Sequence, residues 1–192
     1  MRRLPVIPTL IVLVAVAIMI RLGFWQLERL QEKEALIARY TASLNDAAVR
    51  PLDGSGRPPE FSHVALTCGR VLDQSARAGR NAKGQTGWAH VVRCTVGGPV
   101  WEYVAIGWSS SPAAVEWSGG AVTGVALARG DHYEVIADPP LAGLQANARP
   151  DPRDLPNNHL SYAVQWFLFA LTALIIYGLV LRKRLAAAAQ QG

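Results

Sequence analysis

A histidine stands where one long apolar segment of this 192-residue chain begins. His159 lies in the sequence PNNHLSYAVQWF, where Tyr162 and Trp166 follow it at spacings of three and seven residues. On a helix these spacings place the three rings along one face. A neutral imidazole above aromatic rings at a membrane surface is the arrangement that axial ligation of a haem iron uses. An interfacial aromatic belt is the simpler explanation of Tyr162 and Trp166, but it gives no reason for the histidine.

The residues around His159 must hold its imidazole at the mouth of a helix. Asn157 or Asn158 is suited to cap the N-terminus of that helix. Residues 23–27 (GFWQL) leave a second apolar segment at the same predicted depth. We therefore expect Trp25 and its neighbours to face the histidine segment, with Gly23 allowing close approach of the two helices. The predicted face of the second helix continues below the histidine with Phe169, Ala173 and Ile176.

Two apolar segments are the candidates for membrane spans. Residues 160–181 carry no formal charge over 22 positions, which meets the requirement of about 20 apolar residues for a spanning helix. Residues 10–20 are uninterrupted and apolar, and reach spanning length when residues 4–22 are counted. A cleaved signal peptide is the alternative for this first segment. The small residues Ala15 and Ala17 lie inside the apolar run rather than after it, which favours a retained anchor.

The distribution of charge predicts topology. Lys and Arg number 19 against 14 Asp and Glu, for a net charge of +5. Five basic residues at the outer ends of the two segments account for this surplus: Arg2, Arg3, Arg182, Lys183 and Arg184. Positive flanks favour the cytoplasmic side, so both termini are expected in the cytoplasm of a bacterium and the central region in the periplasm. The basic character therefore indicates a lipid bilayer of the inner membrane as partner, and no nucleic acid.

The predicted organisation has five parts. Helical spacing without proline continues through residues 23–44, so the first span is expected to extend as a helix out of the membrane. The expected boundaries are 1–22 for the cytoplasmic tail and first transmembrane helix, 23–45 for the helical extension, 46–158 for a β-rich extracytoplasmic domain with its connector, 159–181 for the second transmembrane helix and 182–192 for a cytoplasmic tail.

The central region changes from helical to alternating periodicity after the loop at residues 51–59. Strands are expected at residues 63–68, 88–96, 100–108, 121–128 and 133–137. Gly97-Gly98-Pro99 is a hairpin signal, and residues 79–87 are expected to be a loop. The fold class is therefore predicted as a membrane protein of α+β type, with two transmembrane helices flanking a small antiparallel β-barrel or sandwich.

Other residues capable of chemistry give weaker signals. Cys68 and Cys94 both fall in predicted strands on an oxidising side of the membrane, and either a disulfide or two separately buried thiols fits the sequence. A loop with Arg77, Arg80 and Lys83 suits anionic lipid head groups or a carboxylate, although a solvated hairpin is simpler. No enzyme motif is present in the sequence. Three further histidines are second-ligand candidates only in principle, and are expected to be ordinary surface or strand residues: His63, His90 and His132.

LGFWQLERLQEKEALI at the first span and PNNHLSYAVQWF at the second resemble the Surfeit locus protein family, the assembly factors of cytochrome c oxidase. The order of a span, a sheet-rich domain and a second span is also similar. Within the domain, residues 64–70 (VALTCGR) resemble an early strand of that family. Residues 103–108 (YVAIGW) resemble its Val-Asn-Arg-Gly-Trp strand, but Ala105 and Ile106 stand where the family has Asn-Arg.

The resemblance implies a chaperone of the respiratory chain without enzymatic turnover. It implies that haem a is bound transiently and delivered to, or retained in, the catalytic subunit of cytochrome c oxidase, with haem a synthase as a further partner. The family's haem-binding histidine corresponds to His159, which would ligate the iron. Trp25 and Gln26 match the family's first-span motif, and Tyr162 and Trp166 match its second-span motif. A scaffold that binds nascent oxidase subunits or haem a synthase without touching haem is the alternative.

Overall fold

The computed structural model describes residues 5–54, 56–97 and 100–190. The predicted basic flank Arg2-Arg3 and the turn residues Gly98-Pro99 lie outside these ranges. The chain divides into two compact units. A helical unit contains Met1–Leu36 and Pro156–Gly192, and a sheet unit contains Ile37–Leu155.

Two long helices form the helical unit. Helix α1 runs from Val6 to Asn45, and its last residues, from Ile37, belong to the sheet unit; helix α2 runs from His159 to Gln190. The continuous first helix that the periodicity predicts is therefore confirmed. Its 40 residues correspond to roughly 60 Å, against about 30 Å for a hydrocarbon core. Both helices are long and apolar enough to cross a membrane.

The two helices pack through small side chains. Val16 on α1 and Ala163 and Ala170 on α2 are buried, as is Gly23. A Cβ atom at Gly23 would lie 2.6 Å from Cε1 of Phe167, so that ring would have to move if residue 23 carried a side chain. Large apolar side chains on the remaining faces are exposed, which fits helices whose outer surface meets lipid.

A seven-stranded sheet dominates the other unit. Its strands are β1 (Arg50–Pro51), β2 (His63–Cys68), β3 (Arg70–Arg80), β4 (Thr86–Gly97), β5 (Val100–Ser109), β6 (Gly120–Arg129) and β7 (His132–Ala137). A short 3-10 turn, Pro152–Asp154, follows. The order across the sheet is β1-β2-β6-β7-β5-β4-β3, and all five predicted strands are present.

The sheet differs from the predicted antiparallel barrel in two respects. It is mixed, since β1 pairs with β2 and β5 pairs with β7 in parallel. It is also open, with β1 and β3 at its edges. The hairpin β6–β7 folds back so that β7 lies between β6 and β5, and this position makes β7 run in the same direction as β5. The prediction of an α+β architecture holds, but the closed antiparallel barrel is wrong.

Strand β3 was not expected. The sequence predicts a solvated loop containing Arg77 and Arg80, but both residues lie on β3, and only Lys83 lies in the turn that follows. The eleven residues of β3 (RVLDQSARAGR) include few apolar side chains, because an edge strand buries little of either face. Alternation of polar and apolar residues is therefore absent where the strand occurs.

The core of the sheet unit lies between the curled halves of the sheet. It includes Val64, Val92, Val104, Ile106 and Val135, all with 0% of their surface exposed. Cys68 on β2 and Cys94 on β4 form a disulfide, with their Cα atoms 5.2 Å apart. Because β2 and β4 are not neighbours in the sheet order, this bond joins two parts of the sheet that meet through its curvature.

Candidate functional site

His159 is the first residue of α2. Pro156 lies three positions before His159. A proline favours an extended backbone at the residue before it, here Leu155, so the helix begins only after Pro156. The backbone carbonyl of Asn158 accepts a hydrogen bond from the Tyr162 N–H at 3.2 Å. The expected side-chain cap by Asn157 or Asn158 is not formed. The Oδ1 atom of Asn157 is buried without a hydrogen-bond partner, and the Asn158 side chain makes no hydrogen bond in the described part of the chain.

The imidazole of His159 contacts the other helix. Its Nδ1 atom lies 2.8 Å from Oε1 of Gln26, and both side chains are partly buried. One turn earlier on α1, Gly23 packs against Phe167, and the ring of Phe24 meets that of Phe167 edge to face at 5.5 Å. The expectation that the GFWQL segment faces the histidine segment, with Gly23 allowing the approach, is confirmed.

Gln26 belongs to the first-span motif that resembles the family, but the sequence gives it no contact with His159. Its signal is a polar side chain three residues after Gly23, on a helix face that packs against α2. The spacing of three residues between Gly23 and Gln26 is informative only once α1 is known to pack against α2. Gln26 and His159 are 133 residues apart in the chain, so the sequence alone does not indicate their contact.

The predicted aromatic residues make no ring contact with the imidazole in the part of the chain that the structure describes. Tyr162 is 51% exposed and Trp25 is 39% exposed, and the Arg29 guanidinium lies 5.6 Å above the Trp25 ring. Trp166 is partly buried and meets Phe169 edge to face at 6.1 Å. No ring contact joins any of these side chains to His159 among residues 5–54, 56–97 and 100–190. The unit thus presents open aromatic surface beside a histidine held by Gln26.

The other three histidines lie in the sheet unit and have partners of their own. His63 Nε2 lies 3.0 Å from the carbonyl oxygen of Leu44, and the buried His90 has Nε2 2.9 Å from the Ser109 hydroxyl. His132 lies beside Glu102 and edge-on to Tyr103. Within the described ranges, no group of three or more His, Cys, Asp or Glu side chains is placed to hold a metal ion.

Two buried carboxylates in the sheet unit are satisfied internally. Glu134 is 1% exposed and accepts hydrogen bonds from Arg77 and from Nε of Arg129, the latter at 2.9 Å. Burial raises the pKa of Glu102 above its ordinary value, while the hydrogen bond from the Tyr133 N–H acts in the opposite direction. These groups form structural contacts between strands rather than an open site.

The two residues that depart from the Asn-Arg pattern are also structural. Ile106 is 0% exposed and belongs to the hydrophobic core, so a cation at this position would be buried. Ala105 is 1% exposed, and its carbonyl oxygen accepts a hydrogen bond from Nδ2 of Asn147 at 3.2 Å. This part of β5 therefore packs in the core and binds the segment around Asn147, and it presents no polar side chain at these two positions.

Comparison with known proteins identifies one family. The model of the SURF1 family matches residues 13–171, more than four fifths of the chain. The match includes the facing segments of both helices and the whole sheet. No curated protein matches the chain.

Proposed function

This chain belongs to the SURF1 family, and we propose from that premise that it is a membrane-bound assembly factor that binds haem a as its cargo. The family is associated with the assembly of cytochrome c oxidase. Two helices with the length and composition of membrane spans agree with a membrane protein. The proposed receiver of the haem is the catalytic subunit of the oxidase, and the proposed donor is haem a synthase.

The contact between His159 and Gln26 carries this proposal. One ring nitrogen of His159 faces Gln26, while Nε2 has no hydrogen-bond partner in the part of the chain that the structure describes. A histidine nitrogen is among the commonest haem ligands. The donor set therefore fits a haem iron, and we assign His159 as its ligand.

The aromatic side chains fit the flat, apolar body of such a cargo. Trp25 is 39% exposed and Tyr162 is 51% exposed, and Trp166 lies one turn further along α2 than Tyr162. We assign these three residues to contact with the macrocycle, because large aromatic surfaces bind apolar rings through buried area. Open surface suits a protein that passes its cargo on rather than retaining it.

The bacterial inner membrane is the proposed location. The basic residues Arg182, Lys183 and Arg184 follow the apolar part of α2 and are exposed. Their positive charge favours the cytoplasmic side for this end of the helix. The opposite end of α2, with His159, would then open on the periplasmic side, as would the sheet unit.

The test uses cells that lack this protein and make haem a. Wild-type protein should restore oxidase activity and the haem a content of the catalytic subunit. His159→Ala should leave that subunit without haem a while still co-purifying with it, because only the iron ligand is removed. His132→Ala, which removes an imidazole of the sheet unit, is the control and should behave as wild type.

The same experiment separates the scaffold alternative. If His159→Ala restores oxidase activity fully, haem binding at this residue is wrong. A scaffold would instead lose co-purification with the oxidase subunit when the packing of Trp25 or Trp166 is disrupted.

A further inference from the structure

We infer that Gln26 is a positioning residue that fixes the tautomer of His159, so that the ring carries its proton on Nδ1 and offers Nε2 as the ligand atom. This inference rests on the proposed function, since it specifies how the ligand of the same site is prepared. The tautomer of His159 is a property of the protein without haem, so it can be measured independently of haem a binding.

The chemistry of the two atoms in contact leads to this tautomer. The distance of 2.8 Å between His159 Nδ1 and Gln26 Oε1 is that of a hydrogen bond. An amide oxygen has lone pairs and no proton, so the ring nitrogen is the donor. A neutral imidazole has a single N–H group, and with that proton on Nδ1 the Nε2 atom keeps its lone pair.

The opposite orientation of the Gln26 amide would have the opposite result. With its NH₂ group toward the ring, Gln26 would donate to Nδ1 and place the ring proton on Nε2. That nitrogen could not then ligate iron without losing its proton. The orientation of one side-chain amide therefore decides which ring nitrogen of His159 is ready to bind.

The surrounding helices hold Gln26 in place. Gly23 lies one turn before Gln26, and because it has no side chain the Phe167 ring packs directly against the backbone of α1 there. Ala163, one turn after His159, is 1% exposed and lets α2 approach closely. Because the contact joins two helices, it forms only when they are paired. Partners of this kind typically raise metal affinity about 10–100-fold by orienting the ligating ring.

The first test reads the tautomer directly. Full-length protein with ¹⁵N-labelled histidine, in lipid nanodiscs without haem, gives nitrogen NMR signals that distinguish a protonated from an unprotonated ring nitrogen. His159→Ala identifies the signals of His159 among the four histidines. We expect protonated Nδ1 and unprotonated Nε2 in the wild type, and a mixture of both tautomers in Gln26→Leu. A wild-type ring protonated on Nε2, or identical spectra for the two proteins, would overturn the inference.

The second test measures haem a binding by titration. Gln26→Leu should bind about 10–100-fold more weakly than wild type. Gln26→Glu retains an acceptor oxygen and should bind haem a more tightly than Gln26→Leu does. The reduction potential of its bound haem should be lower than in the wild type, because a carboxylate makes the imidazole a stronger electron donor to iron. Gln31→Leu removes an exposed glutamine from the same helix and should have no effect.

The outcomes of these tests are distinct. Wild-type affinity in Gln26→Leu, or failure of Gln26→Glu to restore binding, contradicts the positioning role. If the wild type binds no haem a, the proposed function fails, while the NMR result still decides whether Gln26 fixes the tautomer.

Discussion

In the sheet unit the buried carboxylate of Glu134 lies between two arginines, whereas in the helical unit the ring of His159 has one hydrogen-bond partner and a second nitrogen with none among the described residues. The two units also differ in the side chains that pack inside them. β-Branched side chains and a disulfide fill the sheet core, while Gly23, Ala163 and Ala170 line the helix contact. The comparison indicates that the sheet unit pairs its two buried carboxylates internally, whereas the helical unit leaves one ring nitrogen of His159 available.

The largest expected effect comes from removing the disulfide of the sheet unit. Cys68 and Cys94 are 26 residues apart, and closing a loop of this length contributes about 3 kcal/mol to the free energy of unfolding. The variant with both cysteines changed to Ser should therefore lose protection from amide hydrogen exchange throughout β2 and β4. Exchange in the membrane-spanning part of α2 should not change.

Reduction of the wild-type protein should reproduce this loss, and adding reductant to the double Ser variant should have no further effect. Equal protection of β2 and β4 with and without the disulfide would mean that the bond contributes nothing to the stability of this unit.

An effect of intermediate size is expected at the helix contact. Gly23→Ala places a Cβ atom 2.6 Å from the Phe167 ring, and such overpacking costs about 1–3 kcal/mol. The strained contact should weaken the pairing of the helices and, with it, binding of haem a. Distances between spin labels on the two helices, together with haem a titration, measure both consequences.

Gly178→Ala is the matched control on α2, because a Cβ atom there meets nothing within 4 Å. It should leave helix pairing unchanged. Indistinguishable behaviour of the two Ala variants would show that close approach at Gly23 is not needed.

The smallest expected effect concerns pH. Burial raises the pKa of Glu102, so the Glu102 carboxyl group binds its proton more tightly in the folded sheet unit than in the unfolded chain. Its contribution to stability is present below the ordinary glutamate pKa of about 4.3 and is lost as pH rises through the raised pKa. Glu102→Gln should therefore gain stability relative to wild type as pH rises over this range. Hydrogen exchange of β5 and β7 at several pH values measures the difference, and a constant or falling difference would contradict it.

The sequence predicts the elements whose patterns are local. The helices and five strands follow from apolar periodicity, and the candidate residue His159 is selected by its place at the start of an apolar segment. Strand β3 is missed because its polar residues at the sheet edge lack alternation. The parallel pairing of β5 with β7 is missed because strand patterns contain no information about which strands become neighbours.

Contacts between distant residues account for the rest. Whether Cys68 and Cys94 are joined depends on curvature that brings together two strands separated in the sheet. Gln26 and His159 lie on different helices, and their pairing depends on the small residues between those helices. Each of these features follows from packing and could be stated only once the structure was known.

The absorption spectrum of the purified protein tests the central claim most directly. Protein co-expressed with the enzymes of haem a synthesis should carry a haem a band in the wild type and in His132→Ala, and His159→Ala should lack it. A wild-type protein without the band, or a His159→Ala variant with an unchanged spectrum, would contradict the assignment of His159 as the haem ligand.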